Sequence, residues 1–444
     1  MTDATPGGLR SRARAAAPEP TATDPAALRS RAAAVVAELA DRLADPRRVA
    51  SAADEWSALG LGNGHPGVAL LFAELAHRDP AHRPTVHAHL AAAVAQLPAT
   101  AGRGLYTGVP ALAFAAHTAR RTPEDYAGLL SRLDPALERA ARTLLDRDRA
   151  RLAERRDGAH FSAYDLTTGL AGYARLLLAR RSEHGGVLGE VLAHLTRFAE
   201  PLWPAGRRVP GWWSPGGPTL GSDGDYPHGH VNFGLAHGAP GILAVLAAAL
   251  RAGVPVPGLR AAVTGLGEQL LAHRTADGRW PAVIPLPEFL AGTVPEPGGS
   301  GWCYGTPGVA GALSQAAEAL DRSDWGRTAV DAAVLDLAAP RAVVDTGLCH
   351  GWAGLLHLCG VLARTSADPR LAGQRDRLAA RVLDAYDPRL PFGFRAGGPG
   401  TPHGPGTGHH AGMLTGAAGI ALALHAYATD APPATDWDLA LALR

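Results

Sequence analysis

A chain of 444 residues is longer than one ordinary hydrophobic core supports, so either several domains or a single repeat-built domain is expected. Its 42 basic and 41 acidic residues balance, which excludes a basic footprint for nucleic acid and a charged block for a membrane surface. Three cysteines are too few, and odd in number, for a disulfide framework; scarce cysteines beside histidine suit metal ligation or catalysis in a reducing compartment.

Residues 1–25 are rich in Ala, Pro and Arg and read as a disordered leader. They contain no secretory apolar core, and no run of eighteen apolar residues follows, so a cytoplasmic protein is expected. From Pro25 the pattern turns helical. Leu28, Val35, Val36, Leu39 and Leu43 fall at helical spacings, and the segment stops near Pro46. Residues 26–444 are read as one domain.

A repeat then begins. Gly64-His-Pro-Gly67, Gly108-Val-Pro-Ala111, Gly169-Leu-Ala-Gly172, Gly238-Ala-Pro-Gly241, Gly305-Thr-Pro-Gly308, Gly351-Trp-Ala-Gly354 and Gly416-Ala-Ala-Gly419 each open an apolar run. Between them lie second helical segments at 127–145, 187–198, 259–273, 329–337 and 375–386. The spacing of the first glycines, 44 to 69 residues, fits a helix–loop–helix unit. Two glycines on a helix's first turn share one face and permit close backbone approach, and Pro66, Pro240 and Pro307 suit a turn whose N–H groups are unpaired anyway. The runs after the glycines are apolar nearly all round, as in a buried layer, whereas the intervening ones carry Arg and Glu. The fold class expected is all-α: an α/α toroid, a double seven-helix barrel of helix hairpins.

In a closed ring, the residues before each first glycine stand at equivalent places. Immediately before it are Asn63, Thr107, Thr168, His237, Tyr304, His350 and Thr415; one place earlier are Gly62, Tyr106, Thr167, Ala236, Cys303, Cys349 and Leu414. The reactive side chains gather in repeats four to six, which the ring makes neighbours. Cys303, Cys349 and His350 supply two thiols and an imidazole, the donors zinc accepts, and three protein ligands leave a fourth position open. A zinc centre with two thiolates is formally neutral; it polarises water weakly but still activates an incoming thiol, which favours thiol chemistry over hydrolysis. Cys359, inside an apolar run, reads as core packing.

His237, in the ring but outside this donor set, is a candidate proton donor or acceptor. Asp165 is a candidate to orient it, although a helix N-cap is an equally good reading. Tyr304, beside Cys303, completes the candidate catalytic set. Trp302, Trp352, Trp212 and Trp213 either wall a cavity or pack in the core. His409 and His410 read as solvated loop histidines, and His228 and His230 are unassigned.

Through its repeats, and most specifically through residues 301–308, 349–354 and 234–241, the chain resembles the lanthionine synthetase C family, the lanthipeptide cyclases. The resemblance covers nearly everything after about residue 30. It implies zinc on Cys303, Cys349 and His350, with His237 and Asp165 handling protons. It further implies Michael-type addition of a peptide cysteine to dehydroalanine or dehydrobutyrine, giving (methyl)lanthionine. The implied partners are a dehydrated, leader-bearing precursor peptide and a separate dehydratase, extending to peripheral association with a membrane transporter complex. One position departs from the family pattern: four residues before the first zinc cysteine, Gly299 stands where an arginine is usual, with Arg274, Arg279 and Arg395 as candidate substitutes. Gly299 motivates a second reading, a zinc-bearing peptide scaffold without efficient cyclisation. A third is addition of glutathione to dehydroamino acids. A carbohydrate-active toroid is disfavoured, because the ring carries Cys and His and no carboxylate pair.

Overall fold

The apolar runs fold into helices that begin where the glycines stand. The computed structural model describes residues 24–97, 102, 104–154, 158–219, 221–343, 345–396 and 408–444, so the expected leader falls almost wholly outside the described residues. In chain order the helices are α1 (Pro25–Leu43), α2 (Pro46–Ala52), α3 (His65–Leu75), α4 (Arg83–Val94), α5 (Gly108–Thr118), α6 (Ala127–Ala153), α7 (Leu170–Ala179) and α8 (Arg181–Leu195). They continue with α9 (Ala239–Arg251), α10 (Leu259–Ala272), α11 (Leu286–Leu290), α12 (Thr306–Leu320), α13 (Ser323–Ala338), α14 (Trp352–Ser366), α15 (Arg370–Asp384) and α16 (Ala417–Thr429). Two short strands, β1 (His230–Asn232) and β2 (Val283–Pro285), pair antiparallel with Val231 opposite Ile284.

The seven glycine-led helices, α3, α5, α7, α9, α12, α14 and α16, form the inner layer. Each packs on the next, and α16 returns to α3, so the ring closes. Every residue of α3 is buried, which explains its lack of a polar face. The outer helices are amphipathic; α15 buries Leu371, Gln374, Leu378, Val382 and Leu383 along one stripe. One pairing is not local in sequence. The last inner helix, α16, takes its outer partner from α1, which also packs on α15.

A belt of backbone hydrogen bonds joins the repeats at the ring positions read from the sequence. Leu61 N donates to Tyr106 O (2.9 Å), Tyr106 N to Thr167 O (3.4 Å), Leu166 N to Ala236 O (3.0 Å) and Ala236 N to Cys303 O (3.2 Å). Cys303 N donates to Cys349 O (3.1 Å), Cys349 N to Leu414 O (2.9 Å) and Leu414 N to Gly62 O (3.0 Å), which completes the circle. Interrepeat register is therefore fixed by obligatory backbone groups as well as by apolar packing.

The second glycine, present in six of the seven motifs, serves this belt. A Cβ at Gly241, Gly308 or Gly354 would overlap the carbonyl oxygen of Leu235, Trp302 or Leu348, in the segment leading into its own helix. The close approach predicted from the glycines is thus to the preceding loop rather than to a neighbouring helix. The ring's centre is filled by the C-terminal segment, where Trp437, Ala440 and Leu441 are buried. It is held by Tyr106 Oη donating to Ala440 O (2.8 Å), Trp302 Nε1 to Leu441 O (2.8 Å) and Gln315 Nε2 to Ala442 O (2.7 Å).

Candidate metal centre

Cys303 and Cys349 sit side by side because their backbones are consecutive links of the belt, with Trp302 N also donating to Cys349 O (3.0 Å). Their sulfurs and an imidazole nitrogen of His350 lie within 4.8 Å of one another, forming the cluster able to hold a metal among the described residues. Asp345 Oδ2 stands 2.6 Å from His350 Nε2, and Asp345 Oδ1 accepts from Gly347 N at 2.9 Å. With Nε2 held by a buried carboxylate, Nδ1 is the nitrogen left to bind a cation, the usual way a carboxylate fixes a metal-binding tautomer. Hydrogen bonds from the Cys349 thiol and from His350 hold Cys303 down at about 5. Contact with Cys303 and burial push the Cys349 thiol well up instead. Hydrogen bonding to Asp345, then to Cys303, pushes His350 up to about 10. Two thiols and an oriented imidazole in one cluster fit zinc, whose structural and catalytic sites use these donors.

His237 enters from the preceding repeat. Its Nδ1 donates to Asp165 Oδ2 at 2.6 Å, and its side chain is 28% exposed while Asp165 is fully covered. Asp165 Oδ1 accepts from Thr168 N (2.7 Å), Gly169 N (2.6 Å) and Thr168 Oγ1 (3.0 Å), and Oδ2 also accepts from Thr167 Oγ1 (2.9 Å). Asp165 is therefore not the N-cap of α7, which is Gly169; it organises the turn ahead of that cap, and its second oxygen meets the imidazole. His237 lies close enough for its charge to act on the Cys303 thiol. The Tyr304 and His237 rings are 5.9 Å apart, and Phe161 packs edge-on to His237 at 5.3 Å. Tyr304 Oη accepts from Asn232 Nδ2 at 3.0 Å, and burial raises its hydroxyl well above the ordinary range.

A lanthionine synthetase C-like family model matches residues 55–441, nearly the whole described chain. The chain belongs to the lanthionine synthetase C-like family. It is 24% identical over 365 residues to the nisin biosynthesis protein NisC of Lactococcus lactis subsp. lactis, covering 77% of this chain and 84% of that protein. Its fold matches that of a nisin cyclase with a TM-score of 0.73, at 20% identity, covering 94% of this chain and 98% of the other. The family resemblance read from the glycine and cysteine motifs is thus correct, as is the toroidal all-α fold.

Asp345 and Asn232 were not singled out from the sequence, although a signal existed. Each lies six residues before the first glycine of its repeat and accepts from the N–H two residues on, Gly347 and Gly234 (both 2.9 Å). Extending the repeat comparison four places further upstream would have found both. His230 is no free histidine: its ring is buried, with Nδ1 donating to Gly216 O (2.7 Å) and Nε2 3.3 Å from Asn232 Nδ2. His410 likewise departs from the solvated reading. Its Nδ1 lies 2.8 Å from Thr415 Oγ1, which donates to Asn63 Oδ1 (2.9 Å), linking ring positions of repeats seven and one. His228 is exposed. Trp302 and Trp212 pack in the core rather than walling a cavity, and Cys359 is core as expected.

None of the candidate substitute arginines reaches the cluster through a described contact. Arg279 is committed to Asp336 (3.0 Å) and Asp277 (2.6 Å), Arg274 lies over Trp280 (5.7 Å), and Arg395 is exposed. Beside Gly299 the chain is closed by Ser300 N donating to Arg341 O (2.8 Å) and Arg341 N to Ser300 Oγ (2.9 Å).

Proposed function

We propose that this protein catalyses intramolecular addition of peptide cysteine thiols to dehydroalanine or dehydrobutyrine, closing (methyl)lanthionine rings in a dehydrated precursor peptide. The observation that carries this is the juxtaposition of a thiol–imidazole donor set with a carboxylate-oriented histidine on adjacent links of one backbone belt. Cys303, Cys349 and His350 would hold a zinc ion, which would supply the Lewis acidity that favours the ionised form of a substrate thiol near neutral pH.

The chain's own residues do the rest. Carbon–sulfur bond formation at the substrate β-carbon moves the π electrons onto the α-carbon and carbonyl, and that enolate must gain a proton at the α-carbon. His237 is the proton donor: Asp165 holds Nδ1–H, leaving Nε2 to deliver the proton, and stabilises the imidazolium before delivery. Tyr304, fixed by Asn232, and Phe161 flank the imidazole and limit water around the enolate. Thiol proton lost and carbon proton gained balance, so the product has the mass of the substrate.

The test is incubation of zinc-loaded protein with a dehydrated, cysteine-bearing peptide in the presence of glutathione. Loss of free thiol without mass change supports ring closure. Addition of one glutathione mass would replace this reading with the intermolecular one, and an unchanged thiol titre would leave only a peptide-binding scaffold.

A further inference from the structure

The longest helix among the described residues leads to a second site. α6 has 27 residues, against 11 in its inner neighbour α5, so its C-terminal half projects well beyond the inner layer. Between this overhang and the loop carrying Phe161 lies a groove of about 1120 Å³. Its floor is apolar: Ala140 and Leu144 of α6 are half-buried, as is Phe161 opposite them, and Tyr173 closes the base. One edge is cationic. Arg139 and Arg147 are exposed on α6, and neither is part of any ion pair among the described residues. Asp146, between them in sequence, is exposed and lies 3.5 Å from Arg149, while Asp148, just past Arg147, is buried and committed to His194 (2.7 Å) and Arg151 (2.6 Å).

The groove borders the centre described above. Phe161 contacts His237, and Thr168, which lines the groove, donates to Asp165. A chain lying in it would therefore run up to Phe161 and Thr168, the residues that touch His237 and Asp165. We propose that this groove holds an extended segment of the peptide substrate in which acidic and apolar residues alternate; this rests on the cyclase reading above.

The spacing supports that occupant. Arg139 and Arg147 are eight residues apart, about 12 Å along the helix. In an extended chain, same-face residues four apart are separated by about 13 Å, so two acids at that interval meet both arginines. Of the three residues between them, the first and third then point to the other face, away from the arginines and toward Phe161 across the groove. The main affinity comes from apolar burial, and the arginines select sign and register.

Two readouts test this. A fluorescein-labelled peptide of alternating Leu and Glu, about twelve residues long, should bind the zinc-loaded protein in an anisotropy titration. Its Leu–Lys counterpart should bind at least tenfold more weakly, and Arg139→Glu/Arg147→Glu should reverse the preference. The same Leu–Glu tract is then attached to a short ring-forming peptide with one dehydroalanine and one cysteine. The double variant should raise KM for this tailed substrate about tenfold with kcat held, while the tail-less peptide reports the chemistry alone. Equal binding of the two labelled peptides, an unaltered KM, or an equal loss on the tail-less peptide would overturn the groove assignment. Failure of the wild-type protein to cyclise even the tail-less peptide would instead sink the cyclase reading, with the anisotropy arm still deciding the groove.

Discussion

Asp165→Asn separates orientation of His237 from folding of the loop around it. In the native protein Oδ1 accepts from Thr168 N, Gly169 N and Thr168 Oγ1, and Oδ2 accepts from His237 Nδ1 and Thr167 Oγ1. An asparagine keeps its oxygen where three donors converge, so the amide nitrogen faces His237. The imidazole then meets a donor instead of an acceptor and shifts to the tautomer with its proton on Nε2. It also loses the negative charge that stabilises its protonated form. General acid catalysis by a positioned side chain is worth about 10²–10⁴-fold, and a loss within that range is expected in the rate of thiol consumption under saturating peptide. Folding loses about 1–3 kcal/mol from two weakened charge-assisted bonds at a buried site. Zinc content is unaffected, because Asp165 touches none of the candidate ligands. His237→Asn should show the same loss, and the double variant should be no slower than His237→Asn alone, since the pair acts as one unit. A rate for Asp165→Asn within threefold of wild type, or additive losses in the double variant, would refute the orienting role.

Further expectations follow from the same geometry. Asp345→Asn removes the acceptor of His350 Nε2 and should weaken zinc binding about 10–100-fold in a chelator competition, with native affinity counting against the assigned tautomer. Gly308→Ala drives a Cβ into the Trp302 carbonyl, one residue before Cys303; a cost of about 1–3 kcal/mol in denaturant unfolding and looser zinc binding are expected. His65 and His89, buried with their Nδ1 atoms 3.2 Å apart, are both held down at about 4 by desolvation. The unfolded chain binds protons there first, so stability is full above about pH 6.5 and falls as pH drops toward 4, by about 2 kcal/mol per histidine between pH 7 and pH 5. Unfolding midpoints at those two pH values check it, and a slope that persists after replacing both histidines with glutamine would assign it to other groups.

The ring was legible in the sequence because six of its seven repeats make the same backbone concession. A second glycine must pass the carbonyl six residues earlier, and in six of seven repeats that leaves a visible Gly-x-x-Gly. Equivalence of the repeats then placed Cys303, Cys349, His350 and His237 at neighbouring links before any coordinates. Long-range choices were less visible. Pairing of α1 with α16 depends on which apolar stripe fills the last gap, and many Ala- and Leu-rich stripes satisfy that pattern. The end of α6, read near Leu145 but reaching Ala153, lies beyond its inner neighbour, where solvent-exposed Arg and Asp blur the periodic signal. Asp345 escaped because its motif, an acid two residues before a glycine, is too common to stand out until the repeats are aligned.

The central claim is that Cys303, Cys349 and His350 hold one zinc ion on which ring closure depends. Elemental analysis and cyclisation of a dehydrated peptide, measured in parallel on wild type, Cys349→Ala and Cys359→Ala, test it directly. The account predicts one zinc per chain and ring formation in wild type and Cys359→Ala, with both lost together in Cys349→Ala. Full zinc content, or undiminished ring closure, in folded Cys349→Ala would contradict it.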